Sequence, residues 1–301
     1  MKALVTGAAG FVGQHLCAHL VENGDTVVAV DRAEGPDLLD GPAVADLLAD
    51  VSPDVVYHLG GWSDVGASWT DPAKCFEANA IGTLNLLQAC IANGQPRVLA
   101  VSSADVYGKV SAGDLPISES APFRPVTPYA ASKVAADQLA LQAWLGYGLE
   151  IFRVRAFNHL GPGQSTNFVA PAIADRIAQN ERDGGDLVPV GNLTPRRDVT
   201  DVRDVVRAYR LLMLHGKPGE AYNVCTGRDL AIGELAERLV ALARHSMALE
   251  ADPALQRPVE TPVLCGDPTK LHEATGWEPT IPLETTLLDV LNERRSSTHA
   301  T

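Results

Sequence analysis

The sequence predicts an α/β protein: a doubly wound parallel sheet in its first half, followed by a smaller C-terminal α/β lobe. Three observations carry this. Short β-branched or apolar runs alternate with longer helical patterns through the first half, the opening run meets a glycine-spaced turn and then a helix, and beyond Arg155 the alternation breaks up. Such alternation needs crossover helices, which make neighbouring strands parallel and cover both faces of the sheet.

Taken in order, Lys2–Thr6, Thr26–Val30, Val55–Leu59, Val98–Ser102 and Glu150–Val154 are the predicted strands. Phe11–Asn23 is a predicted helix stopped by Gly24, and Asn79–Ala92 carries apolar residues at helical spacing ahead of Gly94. Gly108–Thr127, rich in Gly, Pro and Ser, is expected to form a surface loop bordering a site, with a helix over Pro128–Trp144 after it. Pro162, Pro171, Pro189 and Pro195 are expected to cut the following chain into short pieces. Helical spacing returns at Asp201–Leu214 and Ile232–Ala243, with a strand at Ala221–Val224 between them, and the polar Arg294–Thr301 is expected to fray.

Composition narrows the function classes. A chain of 301 residues, 46% hydrophobic and 20% charged, has the make-up of an ordinary globular protein with a substantial core. A formal net charge of -13 argues against a nucleic-acid partner, because phosphate polyanions are met by basic surfaces. Cys17, Cys75, Cys90, Cys225 and Cys265 are odd in number, scattered and never spaced C-x-x-C, so neither a disulfide framework nor a zinc site is expected and a reducing cytoplasm is the expected compartment. No apolar run reaches the roughly 18 residues that span a membrane, and the apolar Met1–Val12 is punctuated by Gly7, Gly10 and Gly13, unlike a signal peptide. The eight histidines form no H-x-H or H-E-x-x-H spacing; His58 reads as a structural residue at a strand end, and no metal is expected.

The opening strand runs into Gly7-Ala8-Ala9-Gly10-Phe11-Val12-Gly13, a G-x-x-G-x-x-G turn at the start of a helix. Glycines let the backbone approach a pyrophosphate, while the helix N-terminus offers free N–H groups and a favourable dipole. A glycine triplet alone is equally consistent with a plain turn. Here Asp31 closes the next strand about twenty residues on, which makes the unit Rossmann-type. A carboxylate there accepts both ribose hydroxyls of NAD and repels the 2′-phosphate of NADP. NAD(H) is therefore the preferred cofactor, with Arg32 beside it keeping NADP(H) possible. The expected organisation is a dinucleotide-binding domain over 1–155 and a substrate lobe over 156–301, with about 199–225 returning to the first.

Tyr129-Ala130-Ala131-Ser132-Lys133 is the most informative stretch. Residues four apart share a helix face, so the ammonium sits beside the phenol, favours the phenolate and is expected to draw the Tyr129 pKa toward neutrality for proton exchange with a carbonyl or alcohol. Any Y-x-x-x-K pair alone would more often be a chance surface pair. This one follows Ser102-Ser103-Ala104-Asp105-Val106-Tyr107-Gly108, which ends a predicted strand at the sheet edge where such folds bind ligands, and the Ser103 hydroxyl can hold the same substrate oxygen.

Together the glycine turn, Asp31, His58-Leu59-Gly60-Gly61, Asn79 with Gly82-Thr83, Ser103, Tyr129-x-x-x-Lys133 and Arg197-Asp198 resemble the extended short-chain dehydrogenase family of sugar-nucleotide epimerases, dehydratases and reductases over nearly the whole chain. Gly60 departs from the family's usual H-L-A-A, losing one methyl expected to face the cofactor. The resemblance implies a cofactor site of Gly7, Gly10, Phe11, Val12, Gly13, Asp31, Arg32, Asp37, Leu38, Leu59, Gly60, Gly61, Asn79, Tyr129, Lys133 and Phe157, and catalysis by Ser103, Tyr129 and Lys133. Ser68-Trp69, Arg155–Ser165, Val190–Leu193, Arg197–Asp204, Tyr222–Cys225, Leu255–Pro258 and Thr275–Trp277 are similar to the branch that reduces GDP-linked 4-keto-6-deoxy sugars, in which G-N-L precedes R-D. By that likeness Asn158, Asn192, Arg197 and Arg257 hold the nucleotide diphosphate and Glu260 its ribose, with Ser103, Asp105 and Val169 also lining the substrate site. Guanidinium groups suit the diphosphate because they bind it bidentately and stay charged; surface ion pairing is the plain alternative for Arg197 and Arg257. A homodimer through the Asn79–Ala92 and Pro128–Trp144 helices is also implied.

Three other functions compete. A 4-epimerase uses the same trio with tightly held NAD. A 4,6-dehydratase must also eliminate water, for which Ala104 offers no proton and Asp105 is a methylene shorter than the usual Glu. A non-catalytic dinucleotide sensor would have no use for the intact trio.

Overall fold

The computed structural model describes residues 1–255 and 261–297. Its elements begin with β1 (Lys2–Thr6), α1 (Phe11–Glu22), β2 (Thr26–Val30), α2 (Gly41–Val51), β3 (Val55–His58), α3 (Pro72–Phe76), α4 (Gly82–Ala92), β4 (Arg97–Ser103), α5 (Pro128–Tyr147) and β5 (Ile151–Ala156). They continue with β6 (Asn158–Leu160), α6 (Val169–Asp183), β7 (Leu187–Val190), β8 (Arg196–Asp201), α7 (Val202–His215), β9 (Ala221–Val224), β10 (Asp229–Ala231), α8 (Ile232–Ala241), β11 (Ala248–Ala251), β12 (Val263–Leu264), α9 (Thr269–Thr275) and α10 (Leu283–Ser297).

The main sheet runs β2-β1-β3-β4-β5-β9, and every pairing in it is parallel. Side chains alternate across it as strand geometry demands. Ala3 and Val5 join Leu16 and Leu20 of α1 and Val205, Tyr209 and Leu212 of α7 on one face, while Leu4 joins Leu48 of α2, Leu86 of α4 and Ala140 of α5 on the other. Burial on both faces explains why the strands read as continuous apolar runs. The chain moves one way from β1 to β2 and the other way to β3, so a crevice opens at that switch point above the strands' carboxyl ends. Beside it, α6, α8 and α10 pack with β7 around a separate core that includes Ile173, Leu235 and Leu287.

Helix α5 has a defined start and stop. The Thr127 side chain accepts from Ala130 N–H at 3.0 Å, Pro128 occupies the first turn and Gly148 ends the helix in the left-handed conformation. Asp137, one turn beyond Lys133, is fully buried and pairs with two arginines that share a face of β5: Arg153 Nη1 at 2.7 Å and Arg155 Nε at 3.1 Å. Arg155 also donates to the Tyr107 hydroxyl at 3.0 Å and lies 4.6 Å from the Phe123 ring centroid, which ties the helix to the turn after β4.

Two prolines behave differently from the expectation that they cut the chain. Pro171 lies in the first turn of the 15-residue α6, where no intrahelical partner awaits its missing N–H. Pro189 sits in β7, which among the described residues pairs with β11 alone and so tolerates a lost donor. The expected helix over Asn79–Ala92 begins instead as a π-helical turn at Glu77–Ile81. The segment Gly108–Thr127 is also less superficial than expected, since Ile117 is fully buried and bridges Gly266.

Removing Asp137 strands two buried guanidinium groups. Asp137→Ala is expected to cost about 3–5 kcal/mol of stability, measured by urea unfolding; a cost below about 1 kcal/mol would show that the pair is solvated.

Candidate active site

A cleft of about 1070 Å³ opens along the carboxyl ends of the main strands and extends to the smaller lobe. Its floor is the glycine turn. A Cβ on Gly7, whose φ is +70°, would lie 2.8 Å from Gly60 N, and one on Gly13 would lie 2.2 Å from Gly7 O, so β1, β3 and α1 meet backbone to backbone. Helix α1 begins at Gly10 with no side-chain cap, which leaves its first N–H groups for an anion. A cradle with no side-chain filler and an uncapped helix end fits a dinucleotide pyrophosphate.

Gly7, Gly10, Phe11, Val12, Gly13, Asp31, Arg32, Asp37, Leu38, Leu59, Gly60, Gly61 and Phe157 all line this cleft. Asp31 Oδ2 accepts from Ala9 N–H at 3.2 Å, so the carboxylate that follows β2 faces the turn. A methyl on Gly60 would meet Leu38 Cδ1 at 2.9 Å and Thr6 Oγ1 at 3.1 Å, so Leu38 packs against the place where that methyl would go. Asn79 stands behind the wall at 1% exposure. There its carboxamide accepts from Trp62 N–H at 2.8 Å and donates to Ser132 Oγ at 2.8 Å, so it braces the site from outside the cleft.

Ser103 ends β4, and Tyr129 and Lys133 share a turn of α5; all three line the cleft and are buried. Asp105 N–H donates to Ser103 Oγ at 3.1 Å. The Lys133 ammonium donates to Val101 O at 3.2 Å and stands 6.0 Å from the Tyr129 ring centroid. Burial pushes the Tyr129 phenol up, the Asp105 carboxylate adds to the rise, and the Ser103 hydroxyl opposes both. This direction is opposite to the expected fall toward neutrality, and its largest cause is the desolvation of a phenolate. Burial lowers the Lys133 amine to about 8. The pair therefore holds its proton on the phenol through the neutral range, as an acid rather than a base.

Asp105, Asn158, Val169, Asn192 and Arg197 face the same cleft. Arg257 and Glu260 lie outside the described residues. Sequence reasoning assigned no role to three participants. Ser68 Oγ accepts from Tyr129 N–H at 3.3 Å, and Ser132 Oγ donates to Tyr129 O at 2.7 Å, so both hold the phenol's backbone. Arg176 of α6 lines the cleft while donating to Pro189 O at 3.0 Å. Ser132 was visible inside the Tyr129–Lys133 stretch, but nothing in the spacing distinguishes a brace from a bystander. Among the described residues no His, Cys, Asp or Glu cluster could hold a metal ion, and no helix is long and apolar enough to cross a membrane.

Comparison with known proteins agrees with this geometry. The family described as GDP-mannose 4,6 dehydratase matches residues 4–290. A GDP-6-deoxy-D-mannose reductase of Pseudomonas aeruginosa is 39% identical over 297 residues, 98% of this chain and 97% of its own. The solved structure of RMD from Pseudomonas aeruginosa complexed with NADPH is similar at a TM-score of 0.91 and 38% identity, covering 99% of this chain and 100% of that one. The Thermus thermophilus UDP-glucose 4-epimerase complex with NAD is similar at 0.88 and 28% identity, covering 99% and 100%. Sheet order, glycine turn, buried trio and these likenesses converge: the chain belongs to the GDP-mannose 4,6-dehydratase family of extended short-chain dehydrogenases, NAD(P)-dependent enzymes of sugar-nucleotide chemistry.

Proposed function

We propose that the protein reduces the C4 ketone of a GDP-linked 4-keto-6-deoxyhexose, with Tyr129 as proton donor. The observation that carries this is the buried phenol between Ser103 and Lys133, set where the glycine turn meets the Asn- and Arg-lined lobe. Gly7, Gly10, Phe11, Val12 and Gly13 would hold the dinucleotide's pyrophosphate, and Asp31 with Arg32 its adenosine end. When bound, NAD(P)H supplies the hydride. The Ser103 hydroxyl holds the carbonyl, Tyr129 hands its proton to the alkoxide oxygen as that charge appears, and Lys133 stabilises the resulting phenolate.

Ala104, 3% exposed, follows Ser103 and has no proton to give a leaving hydroxyl, which supports reduction over elimination. The reductase relative supports a GDP-sugar, for which Asn158, Asn192 and Arg197, with Arg257 and Glu260, form the diphosphate and ribose contacts. Asp31 favours NADH, and the relative's NADPH complex together with Arg32 supports NADPH as an accepted alternative. We assign 1–155 with about 199–225 to dinucleotide binding and the rest to the sugar nucleotide; the place of β9 beside β5 supports the return. Exposed Ile81 before α4 and Leu145 and Tyr147 on α5 support a homodimer through these helices, and the five free cysteines support a reducing cytoplasm.

Offered a GDP-4-keto-6-deoxyhexose, the protein should consume one NAD(P)H per sugar, with higher kcat/KM for NADH, and form a 6-deoxyhexose. Tyr129→Phe should lower kcat by about 10²-fold or more while cofactor affinity holds. Interconversion of C4 epimers with NAD that survives dialysis, and no net NADH oxidation, would promote the epimerase; a keto-deoxy product from GDP-mannose alone would restore the dehydratase.

Because Lys133 gives up its proton near pH 8, the reduction rate should fall as pH rises through about 8. A pH profile whose alkaline limb lies near about 10 would show that burial does not depress the Lys133 amine. Light scattering at twice the 31.9 kDa chain mass and cell fractionation check the dimer and the compartment.

A further inference from the structure

His58 closes β3 with its imidazole buried, and the chemistry above gives it nothing to do. Each ring nitrogen meets a threonine: Nδ1 lies 2.9 Å from Thr6 Oγ1, and Nε2 lies 2.9 Å from Thr83 Oγ1. Counting protons fixes the direction of both bonds. The Thr83 hydroxyl donates to the Asn79 carbonyl at 2.5 Å, and a carbonyl only accepts. Thr83 therefore has only a lone pair for His58, and Nε2 carries the proton. At the other end Gly60 N–H donates to Thr6 Oγ1 at 3.1 Å. Burial, reinforced by the Lys133 cation, lowers the His58 pKa to about 3, so the ring is neutral, Nδ1 is bare and the Thr6 hydroxyl donates to it.

The outcome is one directed chain from Gly60 N–H through Thr6, His58 and Thr83 to the Asn79 carbonyl, with every donor used once. Thr6, Thr83 and Asn79 are all buried, so bulk water does not compete. Both ends bear on the site. Gly60 touches the glycine turn at Gly7, and Asn79, inside the π-helical turn, holds Trp62 N–H on the cleft wall and Ser132 between Tyr129 and Lys133.

We infer that His58 is a positioning residue: a neutral imidazole protonated on Nε2 that couples the Gly60–Gly61 wall of the dinucleotide site to the Asn79 brace of the catalytic helix. This rests on reading that wall as the place where the dinucleotide binds. A rigid ring with one donor and one acceptor on opposite edges spans the two threonines, which neither an aliphatic nor a charged side chain would do.

Two measurements on the full chain test it. In ¹⁵N spectra of the histidine side chains, His58 should show a protonated Nε2 and a bare Nδ1, unchanged from about pH 5 to about pH 9. The opposite tautomer, or a ring that titrates in that range, overturns the inference. His58→Phe and, as a gentler probe at one end, Thr83→Val should each weaken NAD(P)H binding, read by its fluorescence, roughly tenfold or more, with a smaller fall in kcat at saturating cofactor. A purely structural role would lower the active fraction and leave the affinity of the folded remainder intact, so unchanged Kd with reduced kcat counts against positioning. Should the parent chain itself show no NAD(P)H binding, the dinucleotide reading fails and takes the inference with it. Binding by the parent that both variants match defeats the relay alone.

Discussion

Two strand ends meet backbone to backbone at Gly7 and Gly60, and the cleft is built outward from that contact. Only a hydrogen fits where a Cβ on Gly7 or Gly13 would go, because the atoms in the way belong to main chain and have no rotamer to retreat into. The approach lets α1 start directly over the switch point of the sheet, with its N–H groups facing the crevice. It also brings Gly60 within reach of Thr6, which passes the constraint on to β3 and α4. A larger residue at Gly7 or Gly13 would separate the elements that define the floor.

Electrostatics in the site follow depth more than pairing. Sequence spacing places a cation beside a phenol and suggests that the phenol ionises readily. The fold places both out of water, where each resists its charged form, so the phenol rises and the amine falls. Spacing reports who the neighbours are; it carries no measure of how much solvent has been removed. The direction of the shift suits an enzyme that delivers a proton, since the acid is loaded before the carbonyl arrives.

Much of the first half was legible because period and punctuation agree there. Lys2–Thr6, Thr26–Val30 and Ala221–Val224 form as expected, and β3, β4 and β5 differ from expectation by a residue or two at their ends. The glycine turn at the start of α1 and the shared turn of Tyr129 and Lys133 were legible for the same reason: each is a short motif fixed by local chain geometry. The smaller lobe was not, because its proline signals are ambiguous. Pro171 reads as a breaker yet starts a helix, and only the position of the first turn decides between the two. The bracing contacts of Ser68 and Asp137 were not legible, since their partners lie 61 residues away in one case and 16 and 18 in the other, and no local pattern links them.

One contact joins the two sides of the cleft at its most constrained point. Phe11, the first residue of α1, stacks on His159 of β6 with ring centroids 6.0 Å apart and planes 12° apart, while its edge meets His15, whose ring reaches Pro162 O at 2.8 Å. The residue that shapes the cofactor turn is thus also the one that the strand bearing Asn158 leans on. Occupants of the two sides share a wall, and any free energy that one spends in stiffening this stack is spared the other. Any coupling that runs through this stack must by thermodynamic reciprocity be equal whichever occupant arrives first, which leaves the order of arrival to kinetics.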